Sequence, residues 1–179
     1  DGTTGGTSLK AELNSSSGSY PDDFVEVDGY MYFWAISTGG NYVFRSDGGT
    51  PISIDCTGSV CNSISMMYAV GNRLYFNADD GGSEGVELWK VESGAASQIK
   101  DIDPGSPGSL GIWISQTRLI EFNGNLIFSA LTNSDGWEPW ISDGTDAGTT
   151  LIKDINTSGN SSAQYYALFN SEVYFAGTE

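Results

Sequence analysis

Histidine is absent from this 179-residue chain, and bases are scarce: seven Lys and Arg stand against 23 Asp and Glu. Without an imidazole there is no Ser-His-Asp or Cys-His machinery. Two cysteines are too few ligands for a closed zinc site. A net charge of −16 repels nucleic acid and anionic lipid alike, so no nucleic-acid partner is expected. No acidic tail explains that charge. The first 90 residues carry 12 acids and four bases and the other 89 carry 11 and three, −8 in each half. No glycine loop opens onto a helix to cradle phosphate. No EF-hand, nonapeptide calcium motif or haem-attachment motif is present. No secretory leader and no apolar run of membrane-spanning length is visible, so membrane insertion is not expected.

Turn chemistry is abundant instead. The 24 glycines and five prolines are joined by many Ser, Thr, Asn and Asp. Aromatics at 12% separate the chain from disordered glycine-rich tails. Cys56 and Cys61 flank a short segment in which Gly58 allows a reversal. A local disulfide, and with it an oxidising compartment, is the expectation; a pair of reduced thiols is the alternative.

Four segments superimpose: Val25–Ala35, Tyr68–Ala78, Ile120–Ala130 and Ala167–Gly177. Their matching phenylalanines are Phe33, Phe76, Phe128 and Phe175, spaced by 43, 52 and 47 residues. A period near 47 lies in the range of propeller blades. Each segment reads as a hairpin of strands a and b, turning at Asp28-Gly29, Gly71-Asn72, Asn123-Gly124 and Asn170-Ser171. A strand c follows in the first three, at 40–44, 85–89 and 136–140, and a strand d at 52–54, 98–102 and 150–155. Pro139 cannot donate to a ladder, which predicts an edge or a bulge there. The b strands, such as Leu74-Tyr-Phe76, are apolar on both faces, as sheets sandwiched between sheets require. The expected fold is all-β: a small β-propeller of about four blades, each a four-stranded repeat of ~47 residues.

Residues 1–13 align with 143–155, so the chain starts in a d strand and stops after a b strand. The units are then 14–55, 56–102, 103–155 and 156–179, the last completed by 1–13. Three readings stay open. The N-terminal strand closes the ring, another molecule supplies the missing strand, or the chain is a piece of a longer array. Under the first two, Thr7, Leu9, Ala11 and Leu13 with Val173 and Phe175 form the assembly edge.

Several motifs resemble the bacterial ELW-x-x-DGT repeats, also described as hyalin-like. They are Leu74-Tyr-Phe-Asn-Ala78, Gly85-Val-Glu-Leu-Trp89, Asp143-Gly-Thr145 and Gly148-Thr-Thr-Leu-Ile-Lys-Asp-Ile155, with Lys100-Asp-Ile-Asp-Pro-Gly105 as the following loop. The first repeat departs with Tyr42-Val-Phe44 in place of Glu-Leu-Trp, the third with Pro139, and the fourth lacks a c strand. The resemblance implies an extracellular or surface-anchored bacterial protein and no catalytic residues.

Residues that recur once per unit serve the unit first. Phe44, Trp89 and Trp140 are expected in inter-blade packing, and Glu87 and Glu138 as acceptors for backbone amides. Aromatics that do not recur, Trp34, Trp113 and Trp137, are the ligand-binding candidates, for a glycan. Asp79, Asp80 and Glu84 are candidate calcium ligands, although turn capping by aspartate is the favoured account of them. No cofactor is required. The functional expectation is a non-enzymatic, secreted structural or adhesive module that associates with itself or with another cell-surface protein. The alternative is a lectin-like module.

Overall fold

The computed structural model describes residues 2–56, 58–105, 108–111 and 118–179. Among them there are fourteen β-strands and no α-helix. Sheet 1 is β1 (Asp22–Val27), β2 (Tyr30–Ser37), β3 (Gly40–Ser46) and β4 (Ile52–Ile54). Sheet 2 is β5 (Met67–Val70), β6 (Arg73–Ala78), β7 (Glu87–Glu92) and β8 (Ala95–Lys100). Sheet 3 is β9 (Leu119–Phe122), β10 (Asn125–Thr132), β11 (Gly136–Ser142) and β12 (Thr150–Leu151). Sheet 4 holds only β13 (Gln164–Phe169) and β14 (Glu172–Ala176). All four are antiparallel meanders in chain order.

The hairpins turn where the dipeptides predict. Asp28 and Gly29 have φ of +53° and +79°, and Asn123 and Gly124 +53° and +78°, as type I′ turns require. Asn170 and Ser171 adopt the same left-handed pair at +51° and +62° without glycine. The register then repeats. Phe33 faces Phe44, Phe76 faces Trp89, and Phe128 faces Trp140 across strands b and c.

The sheets stack in sequence. The back of sheet 1 (Tyr32, Val43, Ile54) closes on the front of sheet 2 (Met67, Leu74, Phe76, Trp89) in one buried cluster. The back of sheet 2 (Tyr75, Leu88, Ile99) closes on the front of sheet 3 (Leu119, Leu126, Phe128, Trp140) in another. Alternate residues of one b strand thus feed two different cores, which is why those strands are apolar throughout. First strands approach one another, β1 against β5 and β9 against β13.

Two expectations change. Residues 2–13 form no strand and do not join β13 and β14; the segment ends with the Leu13 carbonyl accepting from Ser37 Oγ at 2.8 Å, beside sheet 1. A d strand needs a c strand to pair with, and none lies beside it. Second, Pro139 sits inside an unbroken register between β10 and β11 rather than at an edge or bulge. Its carbonyl accepts from Ile152 N at 2.9 Å, so its ring nitrogen faces the same neighbour, the d strand. There the missing N–H is tolerated because β12 is only two residues long.

Cys56 and Cys61 form a disulfide with Cα atoms 5.2 Å apart, and both are fully buried. It lies in the linker between sheets 1 and 2, packed into their shared core with Ile54 and Ile64. Closing so short a loop stabilises by about 2 kcal/mol in the chain-entropy account. Replacing both cysteines by alanine is expected to lower Tm by about 4–8 °C in a calorimetric scan. An unchanged Tm would show that the bridge constrains nothing the linker contacts do not.

Candidate functional site

The linkers between sheets are held by one recurrent hydrogen bond. Three residues past each b-strand phenylalanine, a backbone N–H donates to the linker that precedes the sheet. The pairs are Ile36 N to Ser19 O (2.7 Å), Asp79 N to Asn62 O (2.9 Å), Leu131 N to Ser109 O (2.8 Å) and Thr178 N to Ser161 O (2.9 Å). Sheet 4, though two-stranded, therefore keeps the geometry of a full unit.

Buried glutamates hold the linkers from the other side. Glu87 accepts from Ser109 N at 2.7 Å and Ile102 N at 3.4 Å. Glu138 accepts from Ser161 N at 2.8 Å and Ile155 N at 3.0 Å. Both side chains are fully buried, each opposite an alanine of strand b, Ala78 or Ala130, that leaves room for it. Desolvation pushes the Glu87 carboxyl up to about 7, and the Ser109 and Ile102 donors only partly offset it. These glutamates face backbone amides. Two further clamps were not legible in the sequence: Asn77 Nδ2 donates to Ser63 O at 2.8 Å, and Ser129 Oγ donates to Ala163 O. They occupy the same b-strand position but share no residue type, so no motif announces them.

The turn aspartates behave as caps. Asp79 Oδ1 accepts from Gly81 N at 2.7 Å, Asp80 Oδ1 from Gly82 N at 2.9 Å, and Glu84 Oε2 from Gln98 Nε2 at 2.6 Å. Among the described residues no three carboxylates gather around a common point suited to a cation. In the Asp-Gly-Thr turn, Asp143 Oδ1 accepts from Thr145 N and Oγ1, and a Cβ on Gly148 would collide with that carboxylate. Lys100 of sheet 2 reaches across to Asp146 at 2.7 Å, and Arg73 to Asp143 O at 3.0 Å, so this turn docks on the preceding sheet.

The three aromatic candidates part company. Trp113 lies outside the described residues. One face of the Trp137 ring is covered by the Arg118 guanidinium, 5.0 Å from its centroid, and Gly111 packs close to its benzo edge. Trp34 is half-buried and walls an open cleft of about 490 Å³ with Asp22, Asp23, Asn41, Ser63 and Ser65. Burial, and then the charge of Asp22, push the Asp23 carboxyl up. An aromatic wall beside carboxylates, an amide and hydroxyls is chemistry that holds a polyol.

The assembly-edge residues do not form one edge. Thr7 and Leu9 are exposed, Ala11 and Leu13 half-buried, and Leu13 packs on Phe33 and Phe44 of sheet 1. Val173 and Phe175 stand on sheet 4, facing sheet 3. Most of the exposed large apolar side chains lie at the two ends of the stack, while Ile152 and Phe175 lie at the junction of sheets 3 and 4. Phe24 (59% exposed) and Met31 (41%) lie on the front of sheet 1, where Phe24, Phe33 and Phe44 stack. Phe169 (63%) and Tyr174 (52%) share the back of sheet 4. Sheet 2 contributes none.

A carboxyl that holds its proton more tightly when folded favours the fold at low pH. The contribution of Glu87 is full below its ordinary 4.5 and is lost as pH rises through about 7. Glu87→Gln is expected to flatten the fall of Tm between pH 5 and 8 relative to the parent chain, read by thermal melts across that range. A parallel slope would mean that Glu87 is already ionised throughout. Compared with known proteins, the chain matches no family model, and no curated protein is significantly similar to it.

Proposed function

We propose that this chain is a non-catalytic, extracellular structural or adhesive module, built as blades of a small β-propeller of the ELW-x-x-DGT type, which associates with like sheets through the apolar side chains exposed on its end sheets. The observation that carries this reading is the placement of the exposed apolar side chains. The front of sheet 1 repeats the fronts of sheets 2 and 3, each of which is covered by the back of the sheet before it; on sheet 1 Leu13 covers Phe33 and Phe44 and leaves Phe24 and Met31 exposed. The back of sheet 4 repeats the backs that do the covering, with Tyr174 in the position of Tyr32 and Tyr75. Phe24 and Phe169 therefore present two halves of one recurring interface. The disulfide suits an oxidising compartment. No helix among the described residues is long and apolar enough to cross a membrane. The charge of −16 keeps such a module soluble and sets its association against electrostatic repulsion, which salt relieves.

Sedimentation velocity over a concentration series tests the reading. Association is expected to strengthen with salt. Phe24→Asp and Phe169→Asp, each on one end face, should each weaken it at least about tenfold, or 1.4 kcal/mol. A strictly monomeric parent chain at all concentrations would overturn it.

A glycan-binding role is favoured by the Trp34 cleft alone. Saccharide binding that is lost in Trp34→Ala, with sedimentation unchanged, would establish that second role.

A further inference from the structure

The Trp34 cleft opens where the linker after sheet 1 is fastened differently from the next two. On sheets 2 and 3 a glutamate of the c strand, Glu87 or Glu138, reaches the following linker and ties down the amide of Ser109 or Ser161. On sheet 1 the matching position, opposite Ala35, holds Tyr42, whose ring packs edge-on against Phe44. Ser63 and Ser65 of the linker are held from the far side instead, by Asn77 of sheet 2. The side facing sheet 1 is left as a cleft of about 490 Å³, a size suited to small ligands.

Its wall has a flat apolar part and an anionic part. Trp34 and Ile64 supply the first, and Asp22 and Asp23 the second. Successive side chains of a strand normally point to opposite faces. Here a register shift between Asp22 and Val25 and a left-handed φ of +52° at Asp23 bring both carboxylates to the same cleft. Ser63, across from them, is left-handed too, with φ of +59°. Non-glycine residues held in that region collect at ligand sites. The Trp34 indole donates to Asp23, yet burial and the charge of Asp22 outweigh it and push the Asp23 carboxyl up. Among the described residues no Lys or Arg lines the cleft or pairs with either carboxylate. Asn41 adds a side-chain amide that bonds to no described residue.

We propose that this cleft binds an amino sugar, with the protonated amine at Asp22 and Asp23, the ring against Trp34 and a hydroxyl on Asn41. An indole face attracts a cation as well as the C–H face of a pyranose. A neutral sugar would use the wall and the amide but leave two close carboxylates uncompensated, whereas an ammonium satisfies both. The net charge of −16 raises the local concentration of such a cation. This deepens the glycan reading of the same cleft and rests on it, because it names the charge of the ligand; it is independent of association through the end sheets.

The test is calorimetric titration of the unaltered chain with three β-1,4 disaccharides that differ only at C2: those of glucosamine, N-acetylglucosamine and glucose. At about pH 6 the amine is protonated and ordinary carboxylates are ionised. The glucosamine disaccharide is expected to bind 1:1 and at least about tenfold more tightly than either neutral one. The pair Asp22→Asn and Asp23→Asn should abolish that preference, and asparagine tolerates the left-handed backbone at position 23. Trp34→Ala leaves every charge in place and should weaken binding of all three; Asn41→Ala, on the cleft rim, should do so without touching the core if the tryptophan variant fails to fold. In the parent chain the Trp34 indole N–H resonance should move during the titration. If a neutral disaccharide binds as tightly as the amino one, the cationic ligand falls and the glycan reading stands. If none binds at about 10 mM, both fall. If the amino disaccharide binds but the cleft variants keep its full affinity, diffuse charge holds it and the proposal is overturned.

Discussion

Each sheet of this protein has two apolar faces and cannot hide both by itself. A strand such as β6, with Leu74 and Phe76 on one side and Tyr75 on the other, is stable only between two neighbours. The architecture follows from that. Burial along the stack is a property of junctions, as in other quasi-one-dimensional repeat proteins. Sheet 2 contributes none of the exposed large apolar residues, most of which fall to the two end sheets, 1 and 4.

Stacking demands that each linker leave its sheet at a defined angle. The recurrent N–H three residues past the phenylalanine sets that angle four times over. Buried glutamates reinforce it twice, at the cost of desolvating a carboxylate. Tyr42 occupies the equivalent position in sheet 1 and cannot accept in the same way. The linker that follows is closed by the disulfide instead, with Asn77 of sheet 2 holding Ser63 and Ser65.

The hairpins were legible in the sequence because their signals are local: a turn dipeptide with left-handed backbone and an alternating apolar run. The third strand of sheet 1 was legible without its Glu-Leu-Trp motif, since Phe44 keeps the aromatic opposite Phe33. Residues 1–13 divide instructively. Gly6 N donates to Thr3 Oγ1 and Thr7 Oγ1 to Thr3 O, the bonds that Gly148 and Thr149 make to Thr145. The turn, a local structure, forms as the alignment with 143–155 implies. The strand, which needs a partner from elsewhere, does not. The Trp34 cleft was only half legible, because its polar wall joins Asp22 and Asn41 to Ser63 and Ser65 from the next linker.

The linkers are fastened by different chemistries, and this makes them independent of one another. The linker after sheet 1 is secured by a covalent bond that protons do not touch and thiols cleave. The one after sheet 2 is secured by a carboxyl poised near neutrality, indifferent to reductants. A reducing solution and an alkaline one would therefore loosen the same stack at different joints, one sheet apart.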